Sequence, residues 1–360
     1  MSKGLQKFIG RIFRRNETHV HELNYLFWEC TTRCNLHCRH CGSDCSSDTH
    51  TPDMPLEDFL KAFDTIPASH RPERFTVVLT GGEPLLRPDI AETGRALRQR
   101  GVGWGIVTNG VLYDRNMHAR LMSAGMGTLT ISLDGLEKEH DWMRQREGGF
   151  RKTIEAIATA AKEPKLAFDV VTCVNRRNLP QLSDIHGMLA SMGVRQWRLF
   201  TIIPIGRAKE NPELHLSDMQ FVELMEFIKD KRRNPVSDMN VTFSCEGYLG
   251  PYEIEVRPSP YMCHAGINIA SVLADGTISA CPNIDRKAFS QGNIYHDDFY
   301  KVWEEKFEPF RNRQWAHKGQ CSGCKVFRDC LGNGMHNWHG NCDNVINCHY
   351  RKIMNVKYGR

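Results

Sequence analysis

The sequence predicts an α/β fold followed by a small cysteine-rich region. From residue 23 onward, short apolar runs alternate six times with stretches of helical spacing, and the pattern ends near residue 233 at a series of Asn, Gly and Pro breakers. Parallel neighbours need crossover connections, so six such units imply a parallel sheet that can wind into an open or closed barrel. The predicted strands are 23–28, 75–80, 104–108, 128–133, 168–174 and 197–203, and the predicted helices are 56–66, 88–100, 114–124, 150–163, 179–191 and 217–232.

Composition restricts the class of protein. The chain has 360 residues, 41% hydrophobic and 25% charged, the balance of a soluble globular protein with about two domains. A net charge of +5 is mild and does not favour nucleic-acid binding. The N-terminus lacks an apolar signal-peptide core, and no apolar run approaches the roughly 18 residues that span a bilayer. Fourteen cysteines fall mostly in two clusters, 30–45 and 263–348, which favours metal ligands in a reducing cytoplasm over disulfides.

The pattern divides the chain into four segments: 1–22, 23–235, 236–262 and 263–360. The first is a basic amphipathic helix whose apolar residues share one face. We expect this helix to pack on its own domain; the alternative is peripheral contact of residues 1–16 with the inner face of an anionic membrane. Residues 236–262 form a bridging segment. The shared apolar face comprises Leu5, Phe8, Ile9, Ile12 and Phe13.

Three cysteines directly after the first predicted strand carry the main functional signal. Cys34, Cys38 and Cys41 have C-x3-C-x2-C spacing, so they can hold three irons of a [4Fe–4S] cube and leave the fourth open to a ligand that is not protein. Zinc sites usually show paired C-x2-C arms, so a structural metal knuckle is the poorer alternative. Cys30 and Cys45 flank the triplet at other spacings and are read as non-ligands.

Loops after four predicted strands carry polar or glycine residues where such a barrel has its site. Gly81 and Gly82 let backbone carbonyls approach a ligand closely, and Glu83 adds an acceptor. A lone strand-end Gly-Gly or Asn-Gly is usually only a turn. Four such loops in order, at the right strand ends, favour a common site. The other three are Thr108–Gly110, Ser132–Gly135 with Arg144 following, and Pro204–Ala208.

The triplet and these loops together resemble the radical S-adenosylmethionine (SAM) enzymes. The resemblance implies a partial (β/α)6 barrel, and the six predicted strands match that count. It also implies that SAM binds the open iron, that the loop from Gly81 to Glu83 holds the SAM ammonium, and that His40 covers the cluster. The turn containing Gly206 and Arg207 would lie near the adenine. The candidates for contact with the SAM ribose and carboxylate are Asn109, Ser132 and Arg144.

The second cysteine cluster is similar to the SPASM domain, which adds auxiliary Fe–S clusters to radical SAM enzymes. A hairpin turn at Gly276 is expected to bring Cys263 and Cys281 together. The resemblance implies auxiliary cluster II at Cys321, Cys324, Cys330 and Cys348. Zinc at one of these sites is the alternative.

Auxiliary cluster I departs from the SPASM pattern. A cysteine is expected three residues after Cys330, and that position is Gly334. The expected ligands are Cys263, Cys281 and Cys342, while Cys245 is an alternative from upstream. A cluster with an open iron, or no cluster at all, are the remaining alternatives.

The resemblance implies reductive cleavage of SAM to a 5′-deoxyadenosyl radical by an oxidoreductase or maturase that receives electrons from an external flavodoxin or ferredoxin type of donor. SPASM members mostly act on peptides or proteins, so we expect oxidative modification of such a substrate: a crosslink, a thioether or a dehydrogenation. The segment from Cys263 and the Gly332–Met335 stretch resemble a lipoprotein-associated subgroup. A sulfatase-maturating type is less favoured, because Pro282 stands where an Asp is usual. The alternative of another class is a non-catalytic zinc-binding scaffold.

Overall fold

A computed structural model of the chain describes residues 3–71, 75–235, 237–340 and 343–359. Its centre is one ten-stranded sheet in the order β10-β9-β8-β1-β2-β3-β4-β5-β6-β7. The strands from β1 to β7 are all parallel, and β8 also runs parallel to β1. Among the described strands, β9 alone runs in the opposite direction, and it pairs antiparallel with both β8 and β10. The strands are β1 Tyr25–Thr31, β2 Thr76–Gly81, β3 Gly103–Thr108, β4 Thr128–Ser132, β5 Ala167–Val174, β6 Gln196–Thr201, β7 Asn240–Phe243, β8 Ile269–Val272, β9 Thr277–Ser279 and β10 Gly292–Asn293.

Helices connect the parallel strands and cover one face of the sheet. Strand β1 alternates between its two faces: Leu26 and Trp28 are fully buried, and Trp28 stacks on Phe59 with ring centroids 4.2 Å apart. The helices are α1 Lys3–Val20, α2 Leu56–Asp64, α3 Ile90–Gln99, α4 Arg115–Ser123, α5 Glu137–Arg144, α6 Gly149–Ala160, α7 Leu182–Ser191, α8 Asp218–Arg233, α9 Arg286–Phe289, α10 Phe299–Lys306, α11 Glu308–Arg311, α12 Phe327–Cys330 and α13 His349–Tyr358.

The opposite, concave face of the sheet encloses a cavity of about 580 Å³. Side chains from β4, β5 and β6 line it, and many of them are polar, including Thr130, Asp169 and Arg198. The segment from Arg257 to Met262 closes the cavity from the side. The concave face is therefore a lined space, whereas the helix-covered face is a packed core.

The six predicted parallel strands are confirmed, each within a few residues of its predicted bounds. The structure adds a seventh parallel strand, β7, inside the predicted bridging segment, and a helix, α5, that has no counterpart among the predicted helices. The hairpin predicted at Gly276 is confirmed as β8 and β9. Because β8 pairs with β1, the cysteine-rich region extends the same sheet. The limits of the domains stay a prediction.

Helix α1 confirms the helix predicted at the N-terminus. No helix among the described residues is long and apolar enough to cross a membrane.

Candidate active site

The three proximal cysteines lie on the loop that follows β1, which we call the cluster loop. The loop after β2 holds the first residues of the cluster loop in place. The Gly82 and Glu83 amides donate to the carbonyl oxygens of Thr31 and Arg33 at 2.8 and 2.9 Å. A Cβ on Gly81 or Gly82 would lie about 2 Å from those same oxygens, and Gly81 has a φ of +127°. The two glycines are thus needed for close approach to the cluster loop itself.

Cys34, Cys38 and Cys41 face one another across this loop, which we call the proximal site. The pKa of Cys34 is raised to about 11, mainly by burial and in smaller part by the nearby Cys38 and Cys41. Burial also raises the pKa of Cys38. A hydrogen bond from Cys45 lowers the pKa of Cys41. Cys30 is fully buried behind the loop and donates to the Thr80 carbonyl at 3.4 Å, which suits its predicted place at the strand end.

A buried polar group lies directly behind Cys38. Asp134 pairs with Arg144 at 2.6 Å, and Arg144 reaches to 3.8 Å from the Cys38 sulfur. Burial by itself would raise the pKa of Asp134, but Arg144 and His40 keep it below its usual range. The His40 Nε2 atom lies 3.5 Å from Asp134, and burial lowers the pKa of His40 to about 4. At neutral pH a neutral imidazole and a buried ion pair therefore adjoin the thiols, and the Arg144 Nε atom has no hydrogen-bond partner among the described residues.

Glu83 points inward and connects two loops. Its carboxylate accepts from the Thr108 hydroxyl at 2.8 Å and from the Asn109 amide at 2.9 Å. Burial raises the pKa of Glu83, and these donors oppose that rise. The Asn109 side chain in turn donates to Asn35 in the cluster loop at 2.8 Å. In the described structure, Glu83 and Asn109 hold the loops after β2 and β3 against the cluster loop. Ser132, the last residue of β4, is partly buried.

Arg207 holds the other end of the cluster loop. Its guanidinium donates to the carbonyl oxygens of Cys38 and Cys45 at 2.8 and 3.1 Å and pairs with Asp44 at 2.7 Å. Its amide donates to the Cys41 carbonyl at 3.0 Å. Gly206 precedes it at a φ of +53°, and a Cβ there would lie 2.4 Å from that oxygen. The Pro204–Ala208 turn is therefore a clamp on the cysteine loop.

Two further sets of thiols lie in the C-terminal region. Cys321, Cys324, Cys330 and Cys348 line one small cavity, which we call the distal four-thiol site. Burial raises the pKa of Cys321 to about 11, and Cys348 and Cys324 add to the rise, so these thiols adjoin one another. The grouping matches the four residues predicted for auxiliary cluster II.

The second set contains Cys245, Cys263 and Cys281, which we call the distal three-thiol site. The pKa of Cys281 is raised to about 12, mainly by burial and in smaller part by Cys245 and Cys263, which are close enough to contribute. Cys245 is exposed and lines the cavity on the concave face of the sheet. Buried Arg257 and Tyr261 line the same cavity. The Arg257 guanidinium lies 3.8 Å from Glu253 and donates to the Gly247 carbonyl at 3.1 Å, whereas its Nε atom and the Tyr261 hydroxyl have no hydrogen-bond partner among the described residues. Cys342, predicted as a ligand here, lies outside the described residues.

Gly334, where the SPASM pattern expects a cysteine, lies in a tightly packed position. The Gly334 amide donates to the Glu246 carbonyl at 3.1 Å. A Cβ on Gly334 would lie 2.5 Å from the His336 ring and 2.7 Å from that carbonyl. The His336 ring and the Glu246 backbone thus fill the space that a thiol would need.

Comparisons with known proteins decide the family. The model of the radical SAM superfamily matches residues 28–182, and the model of an iron–sulfur cluster-binding domain, SPASM, matches residues 263–325. The mycofactocin maturase MftC of Mycobacterium tuberculosis is 30% identical over 315 residues, which cover 86% of this chain and 78% of the relative. This chain belongs to the radical SAM superfamily.

Other relatives and solved structures agree with this assignment. The AdoMet-dependent heme synthase of Methanosarcina barkeri is 28% identical over 323 residues, 85% of this chain and 89% of that protein. The structure of anSMEcpe with bound AdoMet aligns with a TM-score of 0.72 at 18% identity, over 94% of this chain and 98% of its own. The structure of Streptococcus suis SuiB bound to the precursor peptide SuiA aligns with a TM-score of 0.68 at 14% identity, over 91% of this chain and 75% of SuiB. At these identities the two structures show the fold alone: a radical SAM partial barrel with a C-terminal SPASM domain.

The thiols of this radical SAM protein fit clusters better than single zinc ions. Tetrahedral zinc would hold its sulfur ligands about 3.8 Å apart. Within the part of the chain that the structure describes, the only group of three or more Cys, His or carboxylate ligand atoms closer than 4.8 Å to one another is His40, Asp134 and Cys173. All three thiol sets are therefore wider than one ion requires. Arg144 already neutralises Asp134, so a further cation in that remaining group is disfavoured.

[4Fe–4S] clusters and SAM are the cofactors of this family, and the residues present fit them. The unpartnered donors of Arg257 and Tyr261 beside the distal three-thiol site suit an anionic group there. The SAM-contact roles of seven residues stay predictions: Gly81, Gly82, Glu83, Asn109, Ser132, Arg144 and His40.

The residues that the sequence analysis missed are Asp134, Cys173 and the clamping role of Arg207. Asp134 lies within the Ser132–Gly135 loop after the fourth predicted strand, and a buried acid needs a partner. Cys173 lies near the end of β5, and its amide donates to Asp134 at 2.8 Å.

Proposed function

We propose that this chain is a radical SAM oxidoreductase of the maturase type that oxidatively modifies a peptide or protein. The relatives support a maturase, since MftC covers most of the chain at 30% identity. SuiB, a structural neighbour, binds a precursor peptide. Together with the distal thiols, these observations favour a peptide substrate over a small metabolite.

When bound, the reduced cluster and SAM supply a 5′-deoxyadenosyl radical that abstracts hydrogen from the substrate. The residues of the chain position and protect this chemistry. Cys34, Cys38 and Cys41 provide three thiolates, and the Arg207 clamp fixes their loop. Arg144 places a positive charge 3.8 Å from the Cys38 sulfur, and Asp134 holds it there. Burial of this group excludes water from one side of the site.

The observation that carries the oxidative outcome is the pair of distal thiol sites. After hydrogen abstraction, the substrate radical must lose one more electron and one proton to complete a net two-electron oxidation. An iron–sulfur centre at the distal three-thiol site would accept that electron close to the lined cavity, and the distal four-thiol site offers a second centre. An external carrier of flavodoxin or ferredoxin type then exchanges electrons with the protein.

The test uses anaerobic, cluster-loaded enzyme with SAM, dithionite and peptides encoded by small reading frames beside its gene. We expect a peptide product lighter by two hydrogen atoms, formed together with 5′-deoxyadenosine. The Cys330→Ala variant is the matched control: it should still cleave SAM but should yield no oxidised peptide. Oxidation by that variant at the normal rate would contradict the role of the distal four-thiol site.

A tetrapyrrole is a second candidate substrate. The AdoMet-dependent heme synthase of M. barkeri is 28% identical and is covered over 89% of its length. Arg198 and Arg257 line a cavity of about 580 Å³, and each also pairs with a carboxylate of the chain, Asp169 and Glu253 respectively. Incubation of the same enzyme with an iron porphyrin that carries propionates discriminates between a peptide and a tetrapyrrole substrate. Loss of carboxyl groups from the porphyrin, with no change in any peptide, would contradict the peptide proposal and support the tetrapyrrole.

A further inference from the structure

The apolar face of α1 points to solvent. Phe8, Ile12 and Phe13 are 58%, 54% and 53% exposed, although large apolar residues in a surface helix normally face the core. Their spacing of one and four residues places them on one side of the helix together with Ile9. These side chains are neighbours on a single helix, so they form one continuous apolar ridge rather than scattered contacts.

The opposite face of α1 is the one that attaches it to the body of the protein. A Cβ on Gly10 would lie 3.2 Å from the Pro260 ring, so the helix backbone packs closely at that point. Arg11 pairs with Asp329 at 2.9 Å, and Arg14 donates to the Asp329 carbonyl at 2.8 Å. The helix is therefore docked by its polar side, and rotation to bury the apolar ridge would break these bonds.

Basic residues surround the ridge. A wide cleft begins at Ile12 on α1 and extends to the segment from Arg311 to Leu331. Among the described residues that line it, six are arginine or lysine and none is acidic. Exposed Arg15 and the cleft residues Lys325 and Arg328 lie beside the ridge. Apolar bulk flanked by positive charge is complementary to a surface with anionic headgroups over hydrocarbon.

We infer that α1 binds the protein to an anionic lipid surface, with Phe8, Ile12 and Phe13 inserted among the lipids and the basic cleft over the headgroups. The ridge is convex, so it enters a soft interface without a preformed groove. The bonds of Arg11 and Arg14 to Asp329 hold α1 in one orientation, so its apolar side chains face away from the protein and toward the lipid.

The test is sedimentation of the cluster-loaded full chain with vesicles of phosphatidylcholine mixed with phosphatidylglycerol. We expect the protein to bind these mixed vesicles and to bind vesicles of pure phosphatidylcholine much more weakly. A Phe8→Ser, Ile12→Ser double variant should bind the mixed vesicles at least about tenfold more weakly, since each lost side chain removes substantial apolar burial. Both positions face solvent, so the variant should fold normally, as judged by circular dichroism and iron content.

Met219, which is 67% exposed on α8, provides the matched control, and Met219→Ser should bind as the unmodified protein does. Failure to bind the mixed vesicles, or equal binding by the double variant, would overturn the inference. So would a double variant that only dissociates a dimer in analytical ultracentrifugation, because the ridge would then be an interface between two copies. None of these measurements depends on turnover or on the substrate.

Discussion

The proximal and distal thiol sites are built in different ways. Backbone from several loops holds the proximal cysteines: the carbonyl oxygens of Thr31, Arg33 and Cys38 all accept bonds from residues far along the chain. The distal four-thiol site is formed by short turns close together in sequence, with Cys348 added from the start of α13. The distal three-thiol site joins residues before β8 and after β9 to Cys245, which follows β7.

This difference shows which features of each site depend on the surrounding fold. The proximal site needs Gly81, Gly82 and Gly206 because backbone approaches the cluster loop at distances that exclude a Cβ. At the distal three-thiol site, His336 and the Glu246 backbone leave no room for a side chain at Gly334, where a cysteine is expected. Tight packing holds the cluster loop of the proximal site in place, and at the distal three-thiol site tight packing occupies the space that an expected ligand would need.

The largest expected effect tests the chemical role of the proximal site. Cys34→Ala removes one of three thiolates, so formation of 5′-deoxyadenosine from SAM and dithionite should fall to background. Cys30→Ala is the control, since its thiol is buried four residues away and donates to the Thr80 carbonyl. Chromatography of the nucleoside product measures both. Equal product from the Cys34 variant would show that the triplet does not hold the cluster that cleaves SAM.

The next prediction separates the two distal sites. Three [4Fe–4S] clusters give about twelve irons per chain, and Cys330→Ala should remove about four of them while SAM cleavage continues. The same loss is expected for Cys245→Ala, because Cys245 adjoins Cys263 and Cys281. Iron and sulfide analysis with electron paramagnetic resonance checks the result.

Cys342→Ala is the matched comparison at the distal three-thiol site. If it loses iron and Cys245→Ala does not, the ligand is the one first predicted from the sequence. An unchanged iron content in both variants would mean that neither Cys245 nor Cys342 is a required cluster ligand.

The sequence predicted the fold where patterns are local. Apolar runs and helical spacing located six parallel strands, and cysteine spacing located the proximal triplet and the distal four-thiol site. Strand β7 escaped prediction because it has four residues between breakers and gains its order by pairing with β6. Helix α5 has a mostly polar sequence and buries only a few side chains, so its apolar period is weak.

The features that depend on packing between distant residues were not predictable. Nothing in the local sequence of Gly334 shows that a histidine two residues later fills the space of its missing side chain. The clamp by Arg207 joins residues more than 160 positions apart. The outward direction of the α1 apolar face likewise depends on Asp329 and Pro260, and amphipathic spacing alone predicts the opposite.

A third prediction concerns the buried pair behind Cys38. Asp134→Asn leaves Arg144 buried without its counter-charge, so the free energy of unfolding should fall by about 3 to 5 kcal/mol. Asp169→Asn is the matched control, because Arg198 is 41% exposed and its ion pair should contribute about 1 kcal/mol or less. Chemical denaturation of anaerobic protein measures both variants. Equal losses would show that the Asp134 pair has no special energetic role.

The smallest expected effect is the dependence of stability on pH that His140 produces behind the proximal site. His140 is 1% exposed, and its Nδ1 accepts from the Asp134 amide at 3.2 Å. Burial lowers its pKa from 6.5 to about 4. As the pH falls from 6.5 to 4, the unfolded chain takes up a proton that the folded chain refuses, so stability should decrease by up to about 3 kcal/mol. His140→Gln keeps an acceptor but cannot titrate. The free energy of unfolding of this variant should therefore fall less steeply with decreasing pH, by the slope that corresponds to one proton per chain. An unchanged slope in this variant would mean that His140 does not contribute, and that the loss of stability in acid arises elsewhere in the chain.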